Sequence, residues 1–219
     1  MFSYTQEEDE IIRKCVEKGH SSWNDADISE LKTKIKEELK IRQKNFCCYC
    51  LRSLYGEFNF VIDIEHILPK HKFVHRMFEL NNLAASCKRC NMKMKGRRLD
   101  FLSSSFDDEK TPYNTDGYFF IHPNFDVFEK HLDYTHIQKG TNIVVKYDIL
   151  NNSKKGEFSY TFFKLDKLSV HTFNLAQGIK GDEDTWLGNP ELDDDDEHIA
   201  ETFCKIEDSI GQLILKFDQ

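Results

Sequence analysis

Apolar residues return at three- and four-residue steps in two N-terminal stretches. Residues 6–18 place Ile11, Ile12, Cys15 and Val16 on one side with Gly19 as the stop, which predicts a helix. Residues 27–44 predict a second, with Asp27 as cap and Ile28, Leu31, Ile35 and Leu39 as its buried stripe. The period then changes to two. Phe58, Phe60 and Ile62 alternate, so 52–55 and 58–64 predict a β-hairpin about Gly56 and Glu57, closed by Pro69. Residues 70–82 read as a loop or short helix, and 87–98 as a helix. Farther on, 119–121 predicts a short strand and 125–132 a short helix. Strands are expected over 141–150 and 157–165, joined through 151–156, with 166–177 helical. The last helix, 198–217, aligns Ile199, Phe203, Ile206, Ile210, Leu213 and Phe217. This mixture predicts an α+β chain in four parts: a helical segment 1–45, a core 46–100, an α+β extension 101–180, and an acidic segment with its helix, 181–219.

Four cysteines give the core its chemistry. Cys47 and Cys50 form one C-x-x-C pair, Cys87 and Cys90 another, with 36 residues between. A two-residue gap lets a tight turn offer both sulfurs to one ion, and two such turns complete a tetrahedral zinc site. A disulfide or redox role competes, but seven cysteines with no apolar leader segment fit a reducing compartment, where this spacing favours metal. Cys48 lies too close to Cys50 to share the knuckle and is expected to be a packed thiol or one lying just behind the metal ligands. Cys15 and Cys204 are expected in core positions.

Charge sharpens the picture. The chain carries a net −8 and is 39% hydrophobic, with no apolar run near the ~18–20 residues that span a bilayer. No membrane association is expected, and a cytoplasmic location is. From Lys40 to Arg98, thirteen Lys/Arg face four Asp/Glu, a local +9; residues 181–219 carry −11. A basic segment coincident with the cysteine motifs is what phosphate binding requires. The expected contacts are Lys70, Lys88, Arg89, Lys93, Lys95, Arg97 and Arg98, and the expected ligand is DNA, with RNA left open.

The run Cys47-Cys48-Tyr49-Cys50, Asp63-Ile64-Glu65-His66-Ile67-Leu68-Pro69-Lys70, Asn82-Leu83, Cys87-Lys88-Arg89-Cys90-Asn91 resembles the HNH endonuclease family over residues 47–96. The resemblance implies a zinc-stabilised treble-clef, ββα-metal core, flanked here by N-terminal helices and a C-terminal β-hairpin plus helices. It implies His66 as general base, Glu65 and Asn91 as ligands of a catalytic metal, and Asn82 as the residue stabilising the histidine loop. Two departures stand out. Glu65 replaces the aspartate common in the family, and three residues rather than two separate Asn91 from Lys95. Oxygen ligands suit Mg²⁺ or Mn²⁺, and an imidazole with an ordinary pKa near 6.5 can take a proton from water. In a regular strand Glu65 and His66 face opposite ways, so the strand must end or twist there; Asp63 is a reserve ligand. The segments 119–126, His131-Leu132 and Phe173-Asn174-Leu175 resemble defence-associated members, the retron-linked and Septu (PtuB-like) nucleases, which act with an ATPase partner. The expectation is therefore a metal-dependent DNA endonuclease of an anti-phage system. The alternative is a catalytically inactive zinc-stabilised nucleic-acid-binding or scaffold subunit. The acidic C-terminal region would dock a partner or shield the basic site.

Overall fold

Local signals start and stop the first helix. In the computed structural model, which describes residues 2–172, Thr5 caps α1 (Gln6–Lys18): its hydroxyl accepts from Glu8 N, and the Glu8 carboxylate accepts from Thr5 N. Gly19, at φ 97°, ends it. α2 starts later than expected, at Ser29, after a 3-10 turn Ala26–Ile28, and runs to Arg42. Its stripe buries Leu31, Ile35 and Leu39 as the period required.

The predicted hairpin across 52–64 does not form. β1 is Ile62–His66 and pairs antiparallel with β2, Leu83–Cys87, in the register Ile62↔Cys87 to His66↔Leu83. Phe58 and Phe60 are 66% and 74% exposed, so their alternation marks no buried face. β2 is buried at every position and built largely of small residues, so it carries no alternation to read. α2 packs on both strands, and the Gln43 amide completes the edge of β2 by bonding Ala85 N (2.6 Å) and O (2.8 Å).

The second half also departs from expectation. β3 (Leu132–Lys139) and β4 (Asn142–Ile149) form the actual hairpin, turned at Gly140 with φ 62°. The strand expected over 157–165 and part of its connection are instead helix α3 (Lys154–Phe162), capped by the Ser153 hydroxyl accepting from Gly156 N. Gly156 suggested a turn, but its role is close packing: a Cβ there would lie 2.5 Å from the His131 carbonyl. The helix expected over 125–132 is one 3-10 turn, Phe128–Lys130. The strand expected near 119–121 reduces to a single bridge, Leu102↔Tyr118. Within 166–172 a 3-10 turn, Leu165–Leu168, leads to β5 (Val170–His171) on β4. The rest of that expected helix, the acidic stretch 182–197, Cys204 and the helix 198–217 lie outside the described residues.

These elements share one compact unit. Phe101 stacks on Phe120 at 4.5 Å and Phe163 on Tyr49 at 4.2 Å, so aromatics of the extension pack directly on the cysteine-bearing turn. Burying each such ring contributes about 1.5–3 kcal/mol. The Tyr147 hydroxyl adds a bond to Cys50 O at 2.6 Å. The fold class is α+β, with two small sheets beside a four-cysteine cluster.

Candidate functional site

Two turns bring the thiols together. After α2, Lys44 and Asn45 at positive φ swing the chain into the first pair, and Leu51, φ 51°, closes the turn by donating N–H to Cys47 O. The second pair lies at the end of β2. Cys47, Cys50, Cys87 and Cys90 are all buried and their sulfurs fall within 4.8 Å of one another, with Cys50 Sγ 3.9 Å from Cys87 Sγ. A zinc–sulfur bond of about 2.3 Å implies a tetrahedron edge of about 3.8 Å, so the cluster fits zinc. Cys87 N points at Cys47 Sγ (3.3 Å), a donor suited to a thiolate. Cys48 stands outside the four, half-buried, its N–H on Ala85 O. Cys15 is a core residue of α1.

β1 ends at His66; Glu65 and His66 are both buried, 1% and 6% exposed, but meet different neighbours, Lys95 and Tyr49 for the carboxylate and Trp23 and Met77 for the imidazole. His66 packs edge-on against Trp23 at 4.4 Å and its Nε2 lies 3.0 Å from Met77 O. Donation from Nε2 to that carbonyl leaves Nδ1 as the basic nitrogen. Burial holds the imidazole well below its ordinary pKa, helped by the charges of Lys70 and Lys95, which favours the neutral ring and weakens it as a base. Asn82, fully buried, ties this loop. Its Oδ1 accepts from Leu68 N (2.7 Å), and its Nδ2 donates to Leu68 O and Arg76 O (both 3.1 Å). The segment after His66 is thereby joined to the residue before Met77. Asn124 reinforces the same place, its amide donating to Asn81 O and Leu83 O.

Glu65 and Asn91 meet different partners. Residues Arg89–Lys95 wind as a π-helix, with Gly96 N donating to Asn91 O. From this winding both Asn91 and Lys95 reach side chains of β1. Asn91 Nδ2 meets Asp63 Oδ2 at 3.0 Å, and Lys95 Nζ meets Glu65 Oε1 at 2.6 Å. Tyr49 OH donates to the same Glu65 oxygen (3.0 Å), and Lys95 also reaches His66 O (2.8 Å). Burial raises the Glu65 carboxyl above its usual range against the pull of Lys95. The donor types here, carboxylate and amide oxygens, suit a hard cation, but the arrangement does not. The Glu65 oxygen carries an ammonium, and Lys88 Nζ sits 2.8 Å from Asp63 Oδ1. A divalent ion at Glu65 Oε1 or Asp63 Oδ1 would displace a lysine.

The expected phosphate contacts therefore divide. Lys95 is 1% exposed and turned inward, a correction to its expected surface role, because its charge is needed by buried Glu65. Lys93 and Arg97 are exposed. Lys70 is half-buried, its ammonium 6.0 Å from the Trp23 ring centre, and its pKa is lowered by burial. Arg89 donates to Lys164 O (2.8 Å), and Arg98 pairs with Asp100 while lying 3.9 Å over Phe162. Trp23 and Lys95, which shape the site from inside, carry no local sequence signal for that role. Tyr49 does, since it lies within the first cysteine pair.

No protein-family model matches the chain. It is similar to the Septu protein PtuB of Bacillus thuringiensis. The two are 27% identical over 169 residues, covering 76% of this chain and 56% of the relative, so the chain spans little more than half that protein's length. Among the described residues no helix is long and apolar enough to cross a membrane.

Proposed function

We propose that the chain is an HNH-type endonuclease that hydrolyses DNA phosphodiesters as the effector of an anti-phage defence system, working with an ATPase partner. The observation that carries the reading is the placement of His66: a buried imidazole held through Nε2 at Met77 O, on a loop stapled by Asn82, in a chain with a four-thiol cluster. Nδ1 of His66 takes the proton from the attacking water, and Asn82 keeps that ring in register. Lys70, Lys93 and Arg97 meet the phosphodiester charge. Zinc, held by the four cysteines, is structural. Glu65 and Asn91 are the residues to which the family resemblance assigns Mg²⁺ or Mn²⁺, and Lys95 sits 2.6 Å from Glu65 Oε1. The similarity to a Septu protein supports the defence role.

The pairing of Glu65 with Lys95 favours a second reading, a zinc-stabilised nucleic-acid-binding or scaffold subunit without catalysis. Plasmid nicking separates the two. The parent, assayed with Mg²⁺ or Mn²⁺ and with or without an ATPase encoded beside it, is expected to exceed His66→Ala on the order of 10²–10⁴-fold. Equal silence of both proteins, with DNA retained on a gel, would establish the second reading.

A further inference from the structure

Phe58 and Phe60, whose alternation predicted a strand that does not form, are exposed, and no role in the site described above uses them. Their rings are nearly parallel, 11° between planes with centroids 6.5 Å apart, and Tyr55 on the same loop is 83% exposed. The loop is braced: Lys36 on α2 donates to Asn59 O (2.9 Å) and Ile62 O (2.7 Å), and Val61 N returns to Phe58 O. Lys88 connects it to the site. Its ammonium lies 4.9 Å from the Phe60 ring centre and 2.8 Å from Asp63, whose other oxygen holds Asn91.

Flat exposed rings beside lysines are what nucleobases stack on, since every base has a π-face and every nucleotide brings a phosphate. Protein interfaces favour aromatics too, but they are depleted in lysine, and this loop joins a stretch of +9. We infer that Phe58 and Phe60 form a stacking platform for unpaired bases of a nucleic acid, with Lys88 taking the adjoining phosphate. The inference rests on the nuclease reading and narrows its substrate to strands with single-stranded or unstacked positions next to the cleaved bond. A continuous duplex keeps its bases inside the stack and offers the platform nothing.

The test is fluorescence anisotropy with the full-length zinc-loaded protein, made uncleaving by His66→Ala. The probes are a labelled single-stranded oligonucleotide and a blunt duplex of the same sequence. Both rings are 66% exposed or more, so Phe58→Ala/Phe60→Ala is expected to keep its zinc and circular dichroism. The double variant is expected to bind the single strand on the order of 10–100-fold more weakly while its duplex affinity changes less than about 3-fold. Phe58→Leu/Phe60→Leu, apolar without a π-face, is expected to behave as the alanine pair does. Unchanged affinity, or an equal loss on both probes, overturns the platform and leaves the nuclease reading standing; unchanged affinity is also the outcome if these rings seat a protein. No binding of either probe by the parent overturns both.

Discussion

Replacing Lys95 by methionine removes a charge from one of the driest places in the protein. The two side chains of the Lys95–Glu65 pair are 1% and 2% exposed and 2.6 Å apart, so water screens the interaction very little. Methionine preserves length and apolar contact with Phe101, whose ring centre lies 5.5 Å from the ammonium. What is lost is the counter-charge of a buried carboxylate and the hydrogen bond to His66 O. Breaking one partner of such a pair costs about 3–5 kcal/mol. Tyr49 still donates to Glu65, which places the expected cost near the lower figure, about 3 kcal/mol. Glu65→Gln alone leaves an unpaired ammonium and is expected to cost a similar amount. The double variant, Glu65→Gln with Lys95→Met, buries no charge and is expected within about 1.5 kcal/mol of the parent. Urea unfolding of the four proteins at pH 7.5 with zinc present, followed by circular dichroism, yields the coupling energy. Additive single effects, or a Lys95→Met cost below about 1 kcal/mol, would show that Glu65 is not held by Lys95 and would free it for a cation.

Metal analysis is expected to find one zinc per chain, lost on substitution of Cys47, Cys50, Cys87 or Cys90 by serine but retained in Cys48→Ser, which stands outside the cluster. Asn82→Ala removes three hydrogen bonds from a fully buried position. It is expected to lower stability by about 2–4 kcal/mol and plasmid nicking by more than the loss of folded protein explains. His122 is buried among Tyr118, Phe125 and Tyr113, with Asp126 and Lys155 as the nearby charges, and burial pushes its pKa down to about 4. A folded pKa below the unfolded value means the unfolded chain binds the extra proton. Stability from this group is therefore complete above pH 6.5 and lost as pH falls towards 4. Between pH 7 and 5 the loss is about 2 kcal/mol, and His122→Gln is expected to show a correspondingly shallower decline in urea midpoint over that range.

Some elements of the fold could be read because their determinants are local. α1 and α2 have one buried stripe each, and that contrast survives in the letters as Ile11, Cys15, Leu31, Ile35 and Leu39. The cysteine ligands could be read for a similar reason, since a two-residue gap limits how far apart two sulfurs can lie. The contrast fails where an element has no exposed face, as in β2, and misleads where apolar residues face solvent, as at Phe58 and Phe60. The strand expected over 157–165 is largely helix. The Ser153 cap and the contact of Gly156 with His131 decide for helix.

Ligand types, the basic stretch and the positions of His66 and Asn82 were determined by the chain itself. The choice of partner was decided only on folding. Glu65 meets Lys95 across thirty positions, and Asp63 meets Asn91 across a similar gap, because a π-helix happens to pack on β1 in that register. No local periodicity encodes such a pairing. A buried carboxylate must find a charge, and which lysine supplies it depends on the geometry of the closed core.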